Sequence, residues 1–421
     1  KPNTYYMPGP MKRMESLAPL KEKEFKLYII FRFIYIMAIR MVATVVGYQL
    51  FQLTQSSFAI GLVGLAEFIP VFSLALYAGH VIDRSDKRSI LLKGVIAYCF
   101  CAAGLAFITS SVVEEHVSRK GLEYLFYLII FLTGLIRAFT GPTTHAILAQ
   151  LVPRNILHFA ANISSSTWLM ASIAGHATAG FFIYWFGVNG TFGIILLYVI
   201  ISAIILAQIK KKPVVQTVST AGTWESVKEG IQYVFKNKIL LGAISLDLFA
   251  VLFGGAAAMI PQFAETILKV GPRGFGWLNA AIDIGSVTTI TILTLVPMKR
   301  KQGYKLMFAV AGFGLCIILF GLSEIYWISF TALLLAGMLD GISVLIRGTV
   351  LQITTPDQMR GRVSSVNSMF INSSNELGMF ESGVSARLLG AAPSVIFGGA
   401  MTLIVVIITW FKAPSLRKFE Y

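Results

Sequence analysis

Long apolar runs alternate with short polar tracts along the whole chain. Runs of about 20 residues, the length an α-helix needs to cross a bilayer, lie at roughly 27–52, 58–82, 89–110, 122–148, 158–186 and 191–209. After a polar stretch from Lys210 to Lys238 they resume at roughly 239–263, 273–297, 304–323, 327–349, 363–388 and 394–411. The pattern predicts an all-α integral membrane protein of twelve transmembrane helices. The expected organisation is an N-terminal segment (1–26), a six-helix bundle (27–209), a linker (210–238), a second six-helix bundle (239–411) and a short tail (412–421). Within the linker, Trp224 to Lys238 reads either as a short amphipathic helix on the membrane surface or as a plain tether.

The basic residues give these helices a direction. One side carries Lys12, Arg13, Lys21, Lys23 and Lys26, then Arg84, Lys87 and Arg88, Arg154, the linker lysines, Lys299 to Lys301, Arg360 and Arg362, and lastly Arg417 and Lys418. The other side has little beyond Arg119, Lys120, Lys269 and Arg273. The segment, linker and tail are therefore expected in the cytoplasm, with the chain in a cytoplasmic (inner) membrane. Links as short as Thr54 to Ser57 and Gly187 to Gly190 suit tight helical hairpins.

Composition agrees and excludes other classes. Only 13% of residues are charged, about half the roughly 25% of soluble domains, too few to cover a water-facing surface of this size. The net charge of +15 lies in tracts between apolar runs and not in one patch, which argues against nucleic acid as a partner. Cys99, Cys101 and Cys316 all sit inside apolar runs at spacings that suit neither a disulfide nor a metal. The first apolar run is too long to be a cleavable signal peptide, and the expected natural start is Met11 or Met14. No G-x-x-x-x-G-K-[ST] element is present, so no ATP-driven pump is expected of this chain alone. No nucleophile constellation points to an enzyme, and no cofactor or metal is expected.

Several local motifs carry chemistry. Gly79-His-Val-Ile-Asp83-Arg84-Ser-Asp86-Lys87-Arg88 combines a small residue suited to close helix approach with a carboxylate able to accept bonds from a neighbouring helix N-terminus. It is expected to act as a gate latch, with Arg360 and Arg362 as its partners in the second half. Arg137-Ala-Phe-Thr-Gly141-Pro142 puts an arginine about fifteen residues into the fourth span, near the bilayer midplane. A charge costs roughly 2.5–3.5 kcal/mol there, so Arg137 must face a polar cavity or a partner.

These motifs resemble the loop signature and the R-x-x-x-G element of the major facilitator superfamily. Ser245-Leu-Asp247 through Gly255, Met359 through Asn367, and Ser373-Ser-Asn375-Glu376 through Gly383 are similar to its enterobactin-exporter-like subgroup, which includes macrolide and other drug effluxers. The resemblance covers nearly the whole chain. It implies two six-helix halves and proton-driven export of a small amphipathic molecule by a monomer, with substrate, protons and lipid as its partners. The sequence departs from the pattern twice. Gly175-His176 stands where an antiporter signature has Gly-Pro, and Met379 stands where an acid is expected. Ala171, Gly175 and Ala179 still supply a small-residue ridge.

Ionisable residues deep in a membrane are functional candidates. They are Arg40, Glu67, Arg137, Asp247, Asp283, Asp340 and Glu376, with Glu381 shallower. Ser368, Asn372, Asn375, Glu376, Met379 and Gly383 share one face of the eleventh helix at spacings of three and four. Acids outnumber the deep arginines, and burial disfavours the charged form of a carboxylate. The cavity is therefore expected to hold protons or cationic substrate groups. Glu67, Asp283 and Glu376 are the leading coupling candidates. Structural pairing competes with each: Arg40 neutralising Glu67, Arg347 held to Asp340 across two turns of one helix, Asp247 packing near a gate. The alternatives to export are uptake of a nutrient or lysolipid, and a receptor or scaffold that keeps the fold without transport.

Overall fold

Each apolar run folds as a helix because only a helix satisfies its own backbone hydrogen bonds in lipid. The computed structural model describes residues 17–212, 223–296, 298, 300–356 and 358–420, without the side chains of Leu76, Asp83 and 223–226. Met11, Lys12, Arg13, Met14, the Ser/Thr-rich part of the linker, Lys299 and the Asp83 and Trp224 side chains fall outside the described residues. In the first half α1 is Lys23–Thr54, α2 Ser57–Asp83, α3 Lys87–Ile108 and α4 Arg119–Leu151. A continuous helical stretch Leu157–Ala207 breaks at Gly187, whose φ of 67° and ψ of −178° only glycine adopts readily. It is therefore two helices, α5 (157–186) and α6 (188–207).

The second half repeats the count. Here α7 is Lys238–Gly254, α8 Gly271–Leu295, α9 Gln302–Leu322, α10 Tyr326–Thr354, α11 Arg360–Leu389 and α12 Ala391–Lys412. Ten stretches of the described residues are long and apolar enough to cross a membrane. The division at Gly187 makes eleven helices of them. The twelfth is α11, whose serines, asparagines and glutamates keep it below the apolar threshold. Beyond Gly254, α7 unwinds at Gly255 into a 3₁₀ turn, Ala256–Met259, and a π turn, Phe263–Ile267. Ser382 on α11 donates to the Gly255 carbonyl at 2.8 Å, so the broken helix does not leave that acceptor unpaired.

Within the first half α1 packs along the α5–α6 pair, α2 on α4, and α3 on α4 and the α5–α6 pair; within the second, α8 packs on α10, α9 on α10 and α12, and α7 on α11 and α12. The halves meet along α2 with α11 and along α5 with α8. One buried cluster spans both of them: Phe51 and Ile60 of the first half join Met259, Phe263 and Phe275 of the second. This cluster lies at the end that carries the short α1–α2 link.

The linker carries a helix, Thr223–Lys236, and one of its faces docks on protein. Its Val234 is buried, Tyr233 Oη donates to the Thr354 carbonyl at 2.5 Å, and Glu229 pairs with Arg362. The physical reason is that the α10–α11 junction offers free carbonyls and a cation, which lipid headgroups need not supply.

Candidate functional site

Both meetings of the halves are built alike. On α2, Gly61 and Gly64 lie against α11: a Cβ on Gly61 would stand 2.9 Å from the Gly383 Cα, and one on Gly64 2.5 Å from the Glu376 carbonyl oxygen. On α5, a Cβ on Gly180 would stand 3.0 Å from the Gly276 Cα of α8. Glycine lets these backbones touch where any side chain would hold them apart. The same helix stripes then separate toward the basic end. On α11 the face that packs at Glu376, Met379 and Gly383 continues as exposed Asn372, Ser368 and Ser365. On α5 the face that packs at Gly180 and Ser172 continues as exposed Ser165 and His158. The two halves thus enclose a polar cleft, shut at the α1–α2 end and open at the basic end.

The head of the cleft holds a carboxylate–guanidinium–carboxylate triad. Arg137 of α4 donates from Nη1 to Glu67 Oε1 of α2, and from Nη2 to Glu376 Oε1 of α11 at 2.6 Å. The side chains are 33%, 20% and 10% exposed respectively, so the group is sheltered but touches the cleft. Two carboxylates share one cation, and the triad joins the two halves. Pro70 and the Glu67 backbone sit against Gly134 of α4, which sets the α2–α4 spacing that brings Glu67 within reach.

Across the cleft, at the α5–α8 contact, a second polar chain runs between the halves. Thr44 Oγ1 of α1 lies 2.7 Å from His176 Nδ1, His176 Nε2 lies 3.8 Å from Asp283 Oδ2 of α8, and Ser172 Oγ donates to that same oxygen at 2.5 Å. Of the two arginines that could serve Glu67, Arg137 makes the direct contact; Arg40 stacks over the Trp168 ring at 4.8 Å and acts on Glu67 only through space, with no carboxylate among the described residues within salt-bridge distance of it. The reason is steric: Gly175 of α5 packs against Met37 and the Arg40 Cβ, which aims the arginine along α5, while Arg137 fills the place beside Glu67.

The third group lies wholly in the second half. Arg347 pairs with Asp247 of α7, donates from Nε to Ser343 Oγ at 3.1 Å, and stands 3.9 Å from Asp340 Oδ1. The expected Asp340–Arg347 pair is thus the looser one, because Asp247 approaches from the facing helix while Asp340 lies seven residues back on the same one.

The remaining candidates scatter. Asn372 and Asn375 are exposed, so the expected single stripe on α11 divides into a packed part and an open part. Glu381 accepts from Ser385 Oγ at 2.7 Å, away from the triad. Among the described residues nothing lies within 4 Å of a Cβ placed on Gly79, so no described helix makes the expected close approach there. Arg84 is exposed, and Lys87 opens α3. Arg88 caps the end of α6, donating to the Ile209 and Ala207 carbonyls at 3.0 and 2.6 Å. Arg360 is the first residue of α11, and Arg362 holds the linker helix.

Sequence reasoning passed over four contributors. Arg347 had entered only as a partner. Thr44 and Ser172 carry no signal of their own, since helical threonines and serines are ordinary. Arg32 is 5% exposed and donates to the Ser164 carbonyl at 3.2 Å and to Tyr28 Oη at 3.4 Å. Its position nine residues into α1 could have flagged it by depth.

A polar cleft between two six-helix halves, shut at one end and crossed there by shared charges, is the geometry of an alternating-access transporter. A family model described as transmembrane secretion effector matches residues 14–420. The chain belongs to this family of major facilitator transporters. It is 25% identical over 366 residues to the MFS-type transporter YkuC of Bacillus subtilis (strain 168), spanning 82% of this chain and 81% of that one. It is 22% identical over 396 residues to the enterobactin exporter EntS of Shigella flexneri, spanning 94% and 93%. Among solved structures it superposes on the nucleoside transporter NupG with a TM-score of 0.75 at 12% identity, covering 93% of this chain and all of that one. The D-xylose-proton symporter gives a TM-score of 0.72 at 12% identity, covering 96% and 99%. At such identities the two structures establish the fold alone. This secretion-effector transporter is a multi-pass membrane protein and not an enzyme.

Proposed function

We propose that this transporter exports a small amphipathic molecule, such as a siderophore or drug, in exchange for protons, by rocking two six-helix halves about the cleft. The observation that carries the reading is the Arg137 guanidinium shared between Glu67 and Glu376. With both carboxylates ionised the triad holds one negative charge in excess, and burying an excess charge is costly. One proton makes it neutral. The neutral triad favours the arrangement in which the halves are closed over it, and the charged one favours opening, where water reaches it. A carrier that closes its outer end when protonated and opens it when deprotonated and loaded is an exchanger of protons for substrate.

The enterobactin exporters to which the chain is similar support the outward direction, and the positive-inside distribution supports a basic end, with both termini, in the cytoplasm of a bacterial cell. Halves bounded at 27–209 and 239–411 acting in a monomer complete the proposal. One proton moving down 100 mV supplies about 2.3 kcal/mol, enough for roughly a fifty-fold gradient of a neutral solute. The test is uptake into inverted vesicles of a catecholate siderophore, a macrolide and an amphipathic dye, with and without an acidic lumen. Accumulation of at least one of them that collapses with the pH gradient is expected. Equal uptake with and without the gradient for all three would sink the proposal.

A further inference from the structure

We infer that Thr44, His176, Asp283 and Ser172 form a second proton-binding site, a latch that draws α5 and α8 together when it takes up a proton and releases them when it loses it. The observations are the spacing of these groups and their place. His176 and Gly180 lie one turn apart on α5; Gly276 and Asp283 lie two turns apart on α8. The glycine contact therefore brings the imidazole and the carboxylate, which belong to different halves, within reach of each other.

The proton count follows from the distances. The Thr44 hydroxyl has one proton and two acceptors within reach, the Arg40 carbonyl at 3.0 Å and His176 Nδ1 at 2.7 Å. If the proton goes to Arg40, as in the ordinary helical back-bond, His176 must donate from Nδ1, and its bare Nε2 faces the Asp283 carboxylate. Two lone pairs then oppose each other until one proton arrives, on Nε2 or on the carboxyl. If the hydroxyl instead donates to His176, Nε2 carries the hydrogen and already points at Asp283. At 3.8 Å the Nε2–Oδ2 pair is beyond hydrogen-bond length. An added proton gives a charge-assisted bond whose usual length is nearly an ångström shorter, which the two side chains can reach by turning toward each other, and it holds the halves at this contact. Only N–H and O–H bonds are made or broken, the proton arriving from water outside when the shut end opens and leaving to water in the cleft.

The other charges around the pair face it without bonding to it. Arg40 of α1, stacked on Trp168, is near enough for its positive charge to oppose a second cation on the imidazole, and Asp340 of α10, 3.9 Å from Arg347, faces Asp283 as a like charge. Ser172 gives Asp283 one hydrogen bond and no charge. The side chains of His176 and Asp283 are 14% and 21% exposed, which leaves them a path to the cleft. A proton that closes the α5–α8 contact acts in the same sense as the proton on the triad at the α2–α11 contact. The place of the latch in the cycle rests on the proton-exchange reading above; its existence does not.

The test is a distance measurement on the intact protein in lipid nanodiscs. Spin labels replace Glu115 and Glu324, exposed in the α3–α4 and α9–α10 links at the shut end, with Cys99, Cys101 and Cys316 changed to alanine. The fraction of molecules with the short distance is followed from about pH 8 to about pH 4, a span wide enough for a buried imidazole–carboxylate pair. Glu67→Gln serves as the background, so that the triad's response is removed. In it the short-distance fraction is expected to rise as pH falls, and adding His176→Gln or Asp283→Asn is expected to abolish that rise while both variants elute as single folded species. A flat response in the Glu67→Gln background overturns the latch, and so does a rise that both added substitutions leave intact. If the rise behaves as expected but inverted vesicles show no gradient-driven uptake, the latch stands and the export reading falls.

Discussion

Gly61 on α2 and Gly383 on α11 lie backbone to backbone, so that a Cβ on either would stand 2.9 Å from the other's Cα. No other residue type fits without moving the halves apart. Gly61→Val is therefore expected to disfavour the closed α1–α2 end by about 1–3 kcal/mol, the usual cost of overpacking. That is a shift of roughly five- to 150-fold in the balance between the two states. Net transport should fall by a similar factor at normal expression, and a cysteine at Met379 should become accessible to an impermeant thiol reagent. Unchanged labelling and flux would remove this contact from the gate.

Glu67→Gln keeps the size and the hydrogen-bonding capacity of the side chain but removes the excess negative charge of the triad. Substrate binding and downhill exchange are expected to survive, while the gradient-driven accumulation of roughly fifty-fold is lost. Counterflow and gradient-driven uptake, measured on the same vesicles, separate the two. A variant that still concentrates substrate with wild-type pH dependence would pass the coupling role to Glu376 or Asp283.

Asp247 is almost fully buried and holds Arg347. Asp247→Asn leaves a guanidinium whose remaining carboxylate partner stands 3.9 Å away. Such a broken pair costs about 3–5 kcal/mol. The thermal midpoint of the purified protein should fall clearly, and Asp247→Asn with Arg347→Gln should recover much of the loss. If the double variant is no more stable than the single, the pair contributes through something other than charge.

Arg88 contrasts with the rest of its motif, since its guanidinium closes the end of α6 inside one half. Arg88→Ala is expected to cost about 1–2 kcal/mol of stability, the price of losing a helix C-terminal cation and its hydrogen bonds. Transport per folded molecule should stay near wild type. A large drop in flux without a drop in thermal midpoint would move Arg88 into the gate.

The orientation is checked with Glu115→Cys in the α3–α4 link and Lys228→Cys in the linker helix, both exposed. An impermeant maleimide is expected to label Glu115→Cys on intact cells and Lys228→Cys only after permeabilisation. The reverse result would invert the assigned topology.

The chain by itself determined how many times it crosses the bilayer, because the water–lipid partition acts on each run of side chains separately and needs no knowledge of neighbours. It also marked Glu67, Arg137 and Glu376 by their depth alone, since a midplane charge is expensive wherever it occurs. What it could not contain was their pairing. Glu67 and Arg137 are 70 residues apart and Arg137 and Glu376 are 239, and whether such groups meet depends on how far each helix is rotated and how closely two backbones approach. Depth and hydrophobic period leave both quantities open. Arg40 shows the consequence: depth made it and Arg137 equal candidates to hold Glu67, and only the packing of α1 on α5 at Gly175 left the direct contact to Arg137 while Arg40 stacks on Trp168. The latch at His176 and Asp283 exists only because Gly180 and Gly276 let α5 touch α8. Which end of the cleft is shut is likewise a tertiary matter, since one sequence must support both states and the packing of the two halves selects between them.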